Sequence, residues 1–355
     1  MKTIHTSAYD INFGDSAYIA LKSYINNKNP SKTIIIVDSN TKKLCLPLFL
    51  KKSDLDQNIN LIEIPNGEIN KKISTCLNVW RSLSRIGVDR NSLIVNLGGG
   101  VVTDLGGFVA STFKRGIKFI NVPTSLLAMV DASIGGKTGV DLDFSKNQVG
   151  TMTFAEMVLI DTKFLETLPD EELRSGMAEM LKHGLISDRL YWNALKELQS
   201  PKVDDLTPLI YRSVEIKNTI VNQDPNEINV RKFLNFGHTL GHAIESYCLN
   251  NKAFKTLLHG EAIEIGMVLE AFLSFKLCGL IDNDLKEIKT TFSKIYEKYK
   301  FKKGNIKSIL NLLKHDKKNT HGRINFVLLE SIGKCRLDVV VDEKLIYEAF
   351  DYYDK

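Results

Sequence analysis

Cysteine is scarce and scattered in this chain. Five residues, Cys45, Cys76, Cys248, Cys278 and Cys335, occur in 355, none of them in a C-x-x-C pair. An odd, dispersed set excludes both a disulfide framework and a zinc ribbon, and it fits a reducing, cytoplasmic setting. Proline is also rare, at 8, while 43% of the residues are hydrophobic and 25% charged; wholesale disorder and collagen-like repeats are therefore out. No stretch reaches the about 18 consecutive apolar residues that a membrane span requires. The opening MKTIHTSAYDINFG lacks the apolar core of a signal peptide. Neither sign of charge dominates, since Lys+Arg 47 against Asp+Glu 42 leaves +5. Such a balance gives little support to nucleic-acid binding and suits small anions at least as well. There is no internal repeat and no low-complexity segment.

A chain of 355 residues predicts two domains. In the first half, short β-branched runs alternate with helical stretches: TIIIVD (33–38), LIEIP (61–65), SLIVNLG (92–98), KFINVPT (118–124) and MVLID (157–161). This is the pattern of a doubly wound, Rossmann-like parallel sheet with crossover helices. From about Thr167 the apolar positions take a helical period, and Leu168-Pro169-Asp170-Glu171-Glu172 reads as a helix entry. The expectation is an α/β domain over 1–168 and a mainly α-helical domain over 169–355. Near the end, INFVLLESIGKCRLDVVV reads as a β-hairpin around Ser331-Ile332-Gly333, followed by a last helix in EKLIYEAFDYY. The Lys-rich stretch from Asp282 to Lys318 reads as solvated helix faces.

Several strands end in polar or glycine-rich segments, where ligands bind in doubly wound folds. NLGGGVVTDLGG sets three glycines after a strand and before a helix, so Gly99 and Gly100 can bring backbone N–H groups to a pyrophosphate. The dinucleotide fingerprint is not met, because Thr103 stands where its last glycine belongs, and a tight structural turn is the competing reading. Asp38 with Asn40 can accept ribose hydroxyls or simply cap a turn. VDASIGGKTGVD resembles a P-loop around Gly136-Lys137-Thr138 but fails, since the first glycine of that motif would fall at Asp131. Asp131 and Lys137 are then expected in one flexible loop, with Lys146-Asn147 shortly after, able to hold a polyhydroxylated anion.

Metal candidates lie in the helical half. His238 and His242 stand at i, i+4 in HTLGH, on one helix face, and His259 opens HGEAIEIG. No glutamate lies inside the pair, so the H-E-x-x-H protease reading fails. Glu179 faces the same way as Lys182, and three ligands drawn from Glu179, His238, His242 and His259 would make a catalytic metal site with an open position. A hydrogen-bonded histidine pair without metal is the plainer alternative. Lys217, Arg231, Asn235 (four after Arg231 and expected on the same face) and the pair Lys317-Lys318 add cations and an amide. Together with Lys137, Lys146 and Lys182 they suggest a substrate with more than one negative group, such as a sugar acid phosphate.

Taken in order, GGGVVTDLGG, PTSLLAMVDASIGGKTGVD, KN, DTKFLETLP, GMAEMLKHG, NFGHTLGHAIE, HGEAIEIGM and HDKKN resemble the 3-dehydroquinate synthase family over nearly the whole chain. Eight blocks in the right order are far more specific than any one of them. The resemblance implies a carbon–oxygen lyase of the shikimate pathway, converting 3-deoxy-D-arabino-heptulosonate 7-phosphate to 3-dehydroquinate and phosphate, with NAD and zinc or cobalt, in a homodimer. It implies Glu179, His238 and His259 as metal ligands, with His242 turned to substrate. Asp38, Asn40, Glu68, Lys71, Gly99, Gly100, Asp104, Thr124 and Ser125 match positions that hold NAD, together with Lys137 and Lys146. Asp131, Lys137, Lys146, Asn147, Lys182, Lys217, Arg231, Asn235 and His242 match substrate and catalytic positions. Arg115 resembles an arginine that reaches the phosphate from a second subunit, and Lys317 or Lys318 one that does so within the subunit. The chain departs from the common pattern at Ser125, often Thr, and at Met129, often Gln, while FSKNQVGTMTFAEMV lies further from common members. Another sugar phosphate cyclase, of the 2-deoxy-scyllo-inosose synthase type, and a metal-dependent polyol dehydrogenase are the rival readings. Retention of Lys217, Arg231, Asn235 and His242 favours the carboxylated heptulosonate.

Overall fold

A computed structural model describes residues 2–55, 59–142, 145–198, 202–251, 254–313 and 324–355. Lys317 and Lys318 lie outside the described residues. The chain divides into two compact units, Met1–Pro169 with Lys202–Ile210, and Asp170–Pro201 with Tyr211–Lys355. Residues 202–210, the beginning of the Val203–Gln223 helix, thus count with the first unit.

The first unit is built on a seven-stranded sheet. Its strands are β1 (Ile4–His5), β2 (Asp10–Phe13), β3 (Thr33–Asp38), β4 (Ile59–Ile64), β5 (Leu93–Gly98), β6 (Lys118–Pro123) and, after a separate hairpin of β7 (Lys137–Leu142) and β8 (Ser145–Met152), β9 (Met157–Ile160). They lie in the order β1-β2-β9-β6-β5-β3-β4, parallel throughout except for the edge pair β1–β2. The five runs expected from the sequence are β3, β4, β5, β6 and β9. Strand β5 is buried along its whole length, as a central parallel strand covered on both faces must be. Strands β1 and β2 are additional to these five. A flexible loop is the expectation around Asp131 and Lys137. Instead Asp131 lies in a short π-helical turn, Ala128–Ala132, and Lys137 opens β7, which pairs antiparallel with β8 carrying Lys146 and Asn147.

The second unit is mainly helical, with the β10 (Asn325–Ser331) and β11 (Lys334–Val340) hairpin and the closing helix Glu343–Asp354 as expected. Its hub is the His259–Leu277 helix, buried from Ala262 to Ser274 and apolar there on every face but for Glu264, Glu270 and Ser274. Arg231 and Asn235 do not share a helix face. Residues 230–235 form a 3₁₀ helix with three residues per turn, so Asn235 stands about 120° round from Arg231 rather than on its face. Their partners differ accordingly: Arg231 donates to the Pro225 carbonyl at 2.7 Å, and Asn235 donates to Glu227 at 2.8 Å.

All five cysteines are free thiols; Cys45, Cys76, Cys248 and Cys278 are buried and Cys335 half-buried. Burial pushes the thiols up, to about 11 at Cys45 and Cys248 and about 12 at Cys76. Among the described residues no helix is long and apolar enough to cross a membrane.

Candidate active site

In the first unit the chain leaves β3 outward to β4, then returns to form β5 on the other side of β3. The carboxyl ends of β3 and β5 therefore flank a topological switch point, the usual place for a nucleotide in a doubly wound sheet. Asp38 and Asn40 stand at the end of one strand, Gly99 and Gly100 at the end of the other. The Gly100–Thr112 helix starts here with no side-chain cap, so the N–H groups of its first turn remain available to an anion. A Cβ at Gly99 would stand 3.2 Å from Ser125 Oγ, a tight contact that a rotation of the serine side chain can relieve. Asp38 does act as a cap: its Oδ1 accepts from Thr41 N at 2.8 Å and from Thr41 Oγ1 at 3.1 Å.

Beside this turn runs a charged network. Lys71, 4% exposed, donates to Asp104 Oδ2 at 2.6 Å and to Asn147 Oδ1 at 2.7 Å. Lys146 reaches Glu68 at 3.3 Å. Burial works against charge on Lys71, but Asp104 and Glu68 outweigh it and hold its pKa above the ordinary lysine value. The same burial leaves Asp104 raised despite its lysine partner. Asp141, which no motif singled out, ties this network together: its N–H donates to Lys71 O at 2.8 Å and its Oδ1 accepts from Asn147 N at 2.7 Å. Only the register of the β7–β8 hairpin brings Asp141 to Asn147, and that register is not written locally. Thr124 is buried, while Arg115 is exposed, in left-handed backbone at φ 69 next to Lys114 at φ 51.

In the second unit four side chains converge from three helices. Glu179 comes from Asp170–Ser187, His238 and His242 from His238–Asn250, and His259 from the first position of His259–Leu277. The nitrogens offered by the three histidines lie within 4.8 Å of one another. Glu179 is fully buried, and Oε1 stands 3.4 Å from His238 Nε2 and 3.6 Å from His259 Nε2, with Lys182 ion-paired to Oε2. Neither Glu179 oxygen has a well-formed hydrogen bond among the described residues. Metal bonds of about 2.0–2.2 Å in a tetrahedron set donor atoms about 3.3–3.6 Å apart. The two Glu179–imidazole separations fall in this range, so Glu179, His238 and His259 fit as donors to a tetrahedral divalent cation such as zinc or cobalt.

The outer partners turn the imidazoles inward. His238 Nδ1 lies 3.1 Å from the Phe236 carbonyl, and His259 Nδ1 3.4 Å from Glu245 Oε2, which points each Nε2 at Glu179. Glu245 was missed by sequence reasoning, although 238, 242 and 245 fall on one helix face at i, i+4, i+7. Burial and then Lys182 hold His238 down at about 4. Burial disfavours charge on Glu179, yet Lys182 and His238 keep it well below the usual carboxylate range. Burial likewise opposes charge on His259, but Glu245 and Glu179 hold its pKa up at about 9.

The comparisons with known proteins cover both units. The family pattern described as 3-dehydroquinate synthase N-terminal matches residues 61–175, and that described as 3-dehydroquinate synthase C-terminal matches 176–319. A 3-dehydroquinate synthase of Parabacteroides distasonis is 40% identical over 335 residues, 94% of each chain. The chain belongs to the 3-dehydroquinate synthase family. Among solved structures, the 2-epi-5-epi-valiolone synthase of Streptomyces hygroscopicus, with NAD+ and Zn2+ bound, is similar at TM-score 0.86 and 25% identity over 100% of this chain and 99% of that one. A 2-deoxy-scyllo-inosose synthase complexed with carbaglucose-6-phosphate, NAD+ and Co2+ is similar at TM-score 0.85 and 26% identity, covering 98% and 99%. Within the 3-dehydroquinate synthase match, the N-terminal pattern contains the Gly98–Gly100 turn and Lys71, and the C-terminal pattern contains Glu179 and the three histidines.

Proposed function

We propose that the chain is a 3-dehydroquinate synthase, a lyase that converts 3-deoxy-D-arabino-heptulosonate 7-phosphate to 3-dehydroquinate and inorganic phosphate and works as a cytoplasmic homodimer. The observation that carries this reading is the convergence of Glu179 with His238, His242 and His259 beside a buried lysine, in a chain 40% identical to a 3-dehydroquinate synthase. In this reading residues 1–168 hold NAD and 169–355 hold the metal and much of the substrate. Glu179, His238 and His259 are the metal ligands.

When bound, NAD supplies a transient hydride acceptor, and the divalent cation supplies Lewis acidity toward the substrate oxygens. What remains for the chain is orientation and charge. Gly99, Gly100, Asp38, Asn40, Thr124 and Ser125 would seat the dinucleotide at the switch point, with the Glu68, Lys71, Asp104 and Lys146 network along its edge. Lys182, Lys217 and Arg231 are each less than 10% exposed. Fixed cations in a site shielded from water stabilise carboxylate, phosphate and developing oxyanions far more than solvated ones do. Asp131, Lys137, Asn147 and Asn235 would orient the hydroxyls, and Arg115 and Lys317 or Lys318 the phosphate, Arg115 from a second subunit.

The deciding experiment is phosphate release from the heptulosonate phosphate by purified protein with NAD, with and without a chelator. Chelator-sensitive release with dehydroquinate formed and no NADH accumulating supports the reading. Silence with this substrate in protein that holds NAD and metal would direct attention to a different sugar phosphate, and steady NADH with an alcohol to a polyol dehydrogenase.

Two further results are expected. His242→Ala should keep stoichiometric zinc while turnover falls by about 10²-fold or more, as for loss of a proton-handling group. Metal analysis beside the phosphate assay checks this, and loss of zinc would exchange the roles of His242 and one of its neighbours. Metal uptake should also be coupled to a proton. With the pKa of His259 near 9 and that of His238 near 4, His259 but not His238 is protonated at pH 7, and a cation binds only the neutral ring. Apparent affinity should therefore climb about tenfold per pH unit up to about 9, with about one proton released per ion at pH 7. Calorimetry in buffers of different ionisation enthalpy measures it; uptake without proton release would show His259 to be neutral beforehand.

A further inference from the structure

We propose that Glu270 is a positioning residue for the metal set: its buried carboxylate holds the first turn of the helix carrying His238 and His242 against the helix carrying His259, before any cation arrives. The inference rests on reading Glu179, His238 and His259 as metal donors.

Glu270 is completely buried on the His259–Leu277 helix. Its Oε2 accepts from Gly237 N at 2.6 Å and its Oε1 from Leu240 N at 3.1 Å. These two amides bracket His238. The first turn of any helix leaves its N–H groups without partners in the helix itself. Here Gly237, at φ +79, precedes the helix and has no side chain with which to cap it. The cap is supplied instead by a carboxylate from the neighbouring helix, where negative charge also meets the favourable end of the helix dipole.

The contact has no slack. A Cβ at Gly266 would stand 2.0 Å from Gly237 O, so the two backbones touch one turn before Glu270. His259, Gly266 and Glu270 follow one another at i, i+7 and i+11, which puts all three on one stripe of their helix. The same stripe thus presents a metal donor at one end and the anchor of a second donor at the other. A carboxylate that only satisfied stray amides could sit on any element; this one joins the two histidine-bearing helices.

The test uses metal-stripped full-length protein titrated with Co2+, read by the visible absorption of bound cobalt and by competition with a chelator. The controls are the parent and Ser274→Ala. Ser274 lies on the same helix, donates to the Glu270 main-chain carbonyl at 2.6 Å and accepts from Leu329 N of β10 at 2.8 Å; among the described residues neither bond involves the Glu270 carboxylate or the histidine turn. Glu270→Ala should weaken cobalt binding by about tenfold or more and alter the cobalt spectrum, the usual effect of losing an outer partner of a ligand. Glu270→Gln, with one acceptor oxygen for two N–H groups, should fall between. Ser274→Ala should lower the melting temperature while its cobalt affinity stays within about twofold of the parent. A Glu270→Ala protein that binds cobalt with the parent's affinity and spectrum overturns the proposal, however much stability it has lost. If the alanine variant does not fold, Glu270→Gln is judged on the same criterion. Hydrogen exchange of the stripped parent is read in every case: slow exchange at Gly237 and Leu240 is expected, and fast exchange there overturns the preorganised cap. Failure of the parent itself to take up cobalt would instead overturn the metal reading, and this proposal with it.

Discussion

Glu179→Ala protein is expected to emerge from purification with less than about a tenth of the parent's metal and to turn over more than about 100-fold more slowly, a larger loss than removal of an outer partner brings. Two consequences are joined in this residue. Its Oε1 faces both His238 Nε2 and His259 Nε2, so its removal leaves two imidazoles and an open side. It is also the ion-pair partner of Lys182, which is 1% exposed. Removing one member of a buried pair leaves the other charge uncompensated, at a cost of about 3–5 kcal/mol. The variant should therefore melt earlier as well, and Glu179→Gln, which keeps the volume, should share the loss of metal. Metal analysis by mass spectrometry and a thermal melt are sufficient. A variant with full metal and full turnover would remove Glu179 from the ligand set.

Gly260→Ala should be nearly as damaging, although it adds a single methyl group. That Cβ would stand 2.1 Å from the carbonyl oxygen of Ser175 and 2.5 Å from its Cα. Both are backbone atoms, so no rotation relieves the clash, and the two helices must part by about 1 Å or more to reach ordinary contact. Ser175 lies one turn before Glu179, and Gly260 adjoins His259. The displacement falls directly on the 3.6 Å separation between Glu179 and His259. Overpacking costs about 1–3 kcal/mol, and misplacing a catalytic group by about 1 Å can cost about 10²-fold in rate. Cobalt titration and the phosphate assay should both register it; unchanged values in both would mean that the helices move apart without consequence.

The central sheet was legible because its strands are uniform. LIVNLG is apolar but for Asn96 and runs into three glycines, and such a run has few other destinations than a buried parallel strand. The β7–β8 hairpin was not legible. KTGVDL and SKNQVGTM show little alternation of apolar and polar residues, and they are stabilised by pairing across the hairpin, with Gly139 opposite Gly150. Arg231 and Asn235 were misjudged for a different reason: a spacing of four has meaning only once the helix type is known. At the proposed metal set, spacing marks His238 and His242 as a pair on one helix face but does not say whether either holds a metal. Glu179 and His259 lie 59 and 21 positions from His238, and their convergence follows from packing around the His259–Leu277 helix. Glu245 and Glu270 carry still less local signal, because each acts on a residue of another helix.

The free thiols suggest a use beyond chemistry. Cys45, Cys76, Cys248 and Cys278 are masked by burial and reluctant to ionise, so a thiol reagent can reach them only when the surrounding structure opens. Cys45 and Cys76 belong to the first unit and Cys248 and Cys278 to the second. The chain thus carries two sets of native timers, and their labelling rates report the opening of each unit without any engineered probe. Adding NAD should slow the first set, and adding the divalent cation the second, because a ligand protects only the structure that binds it.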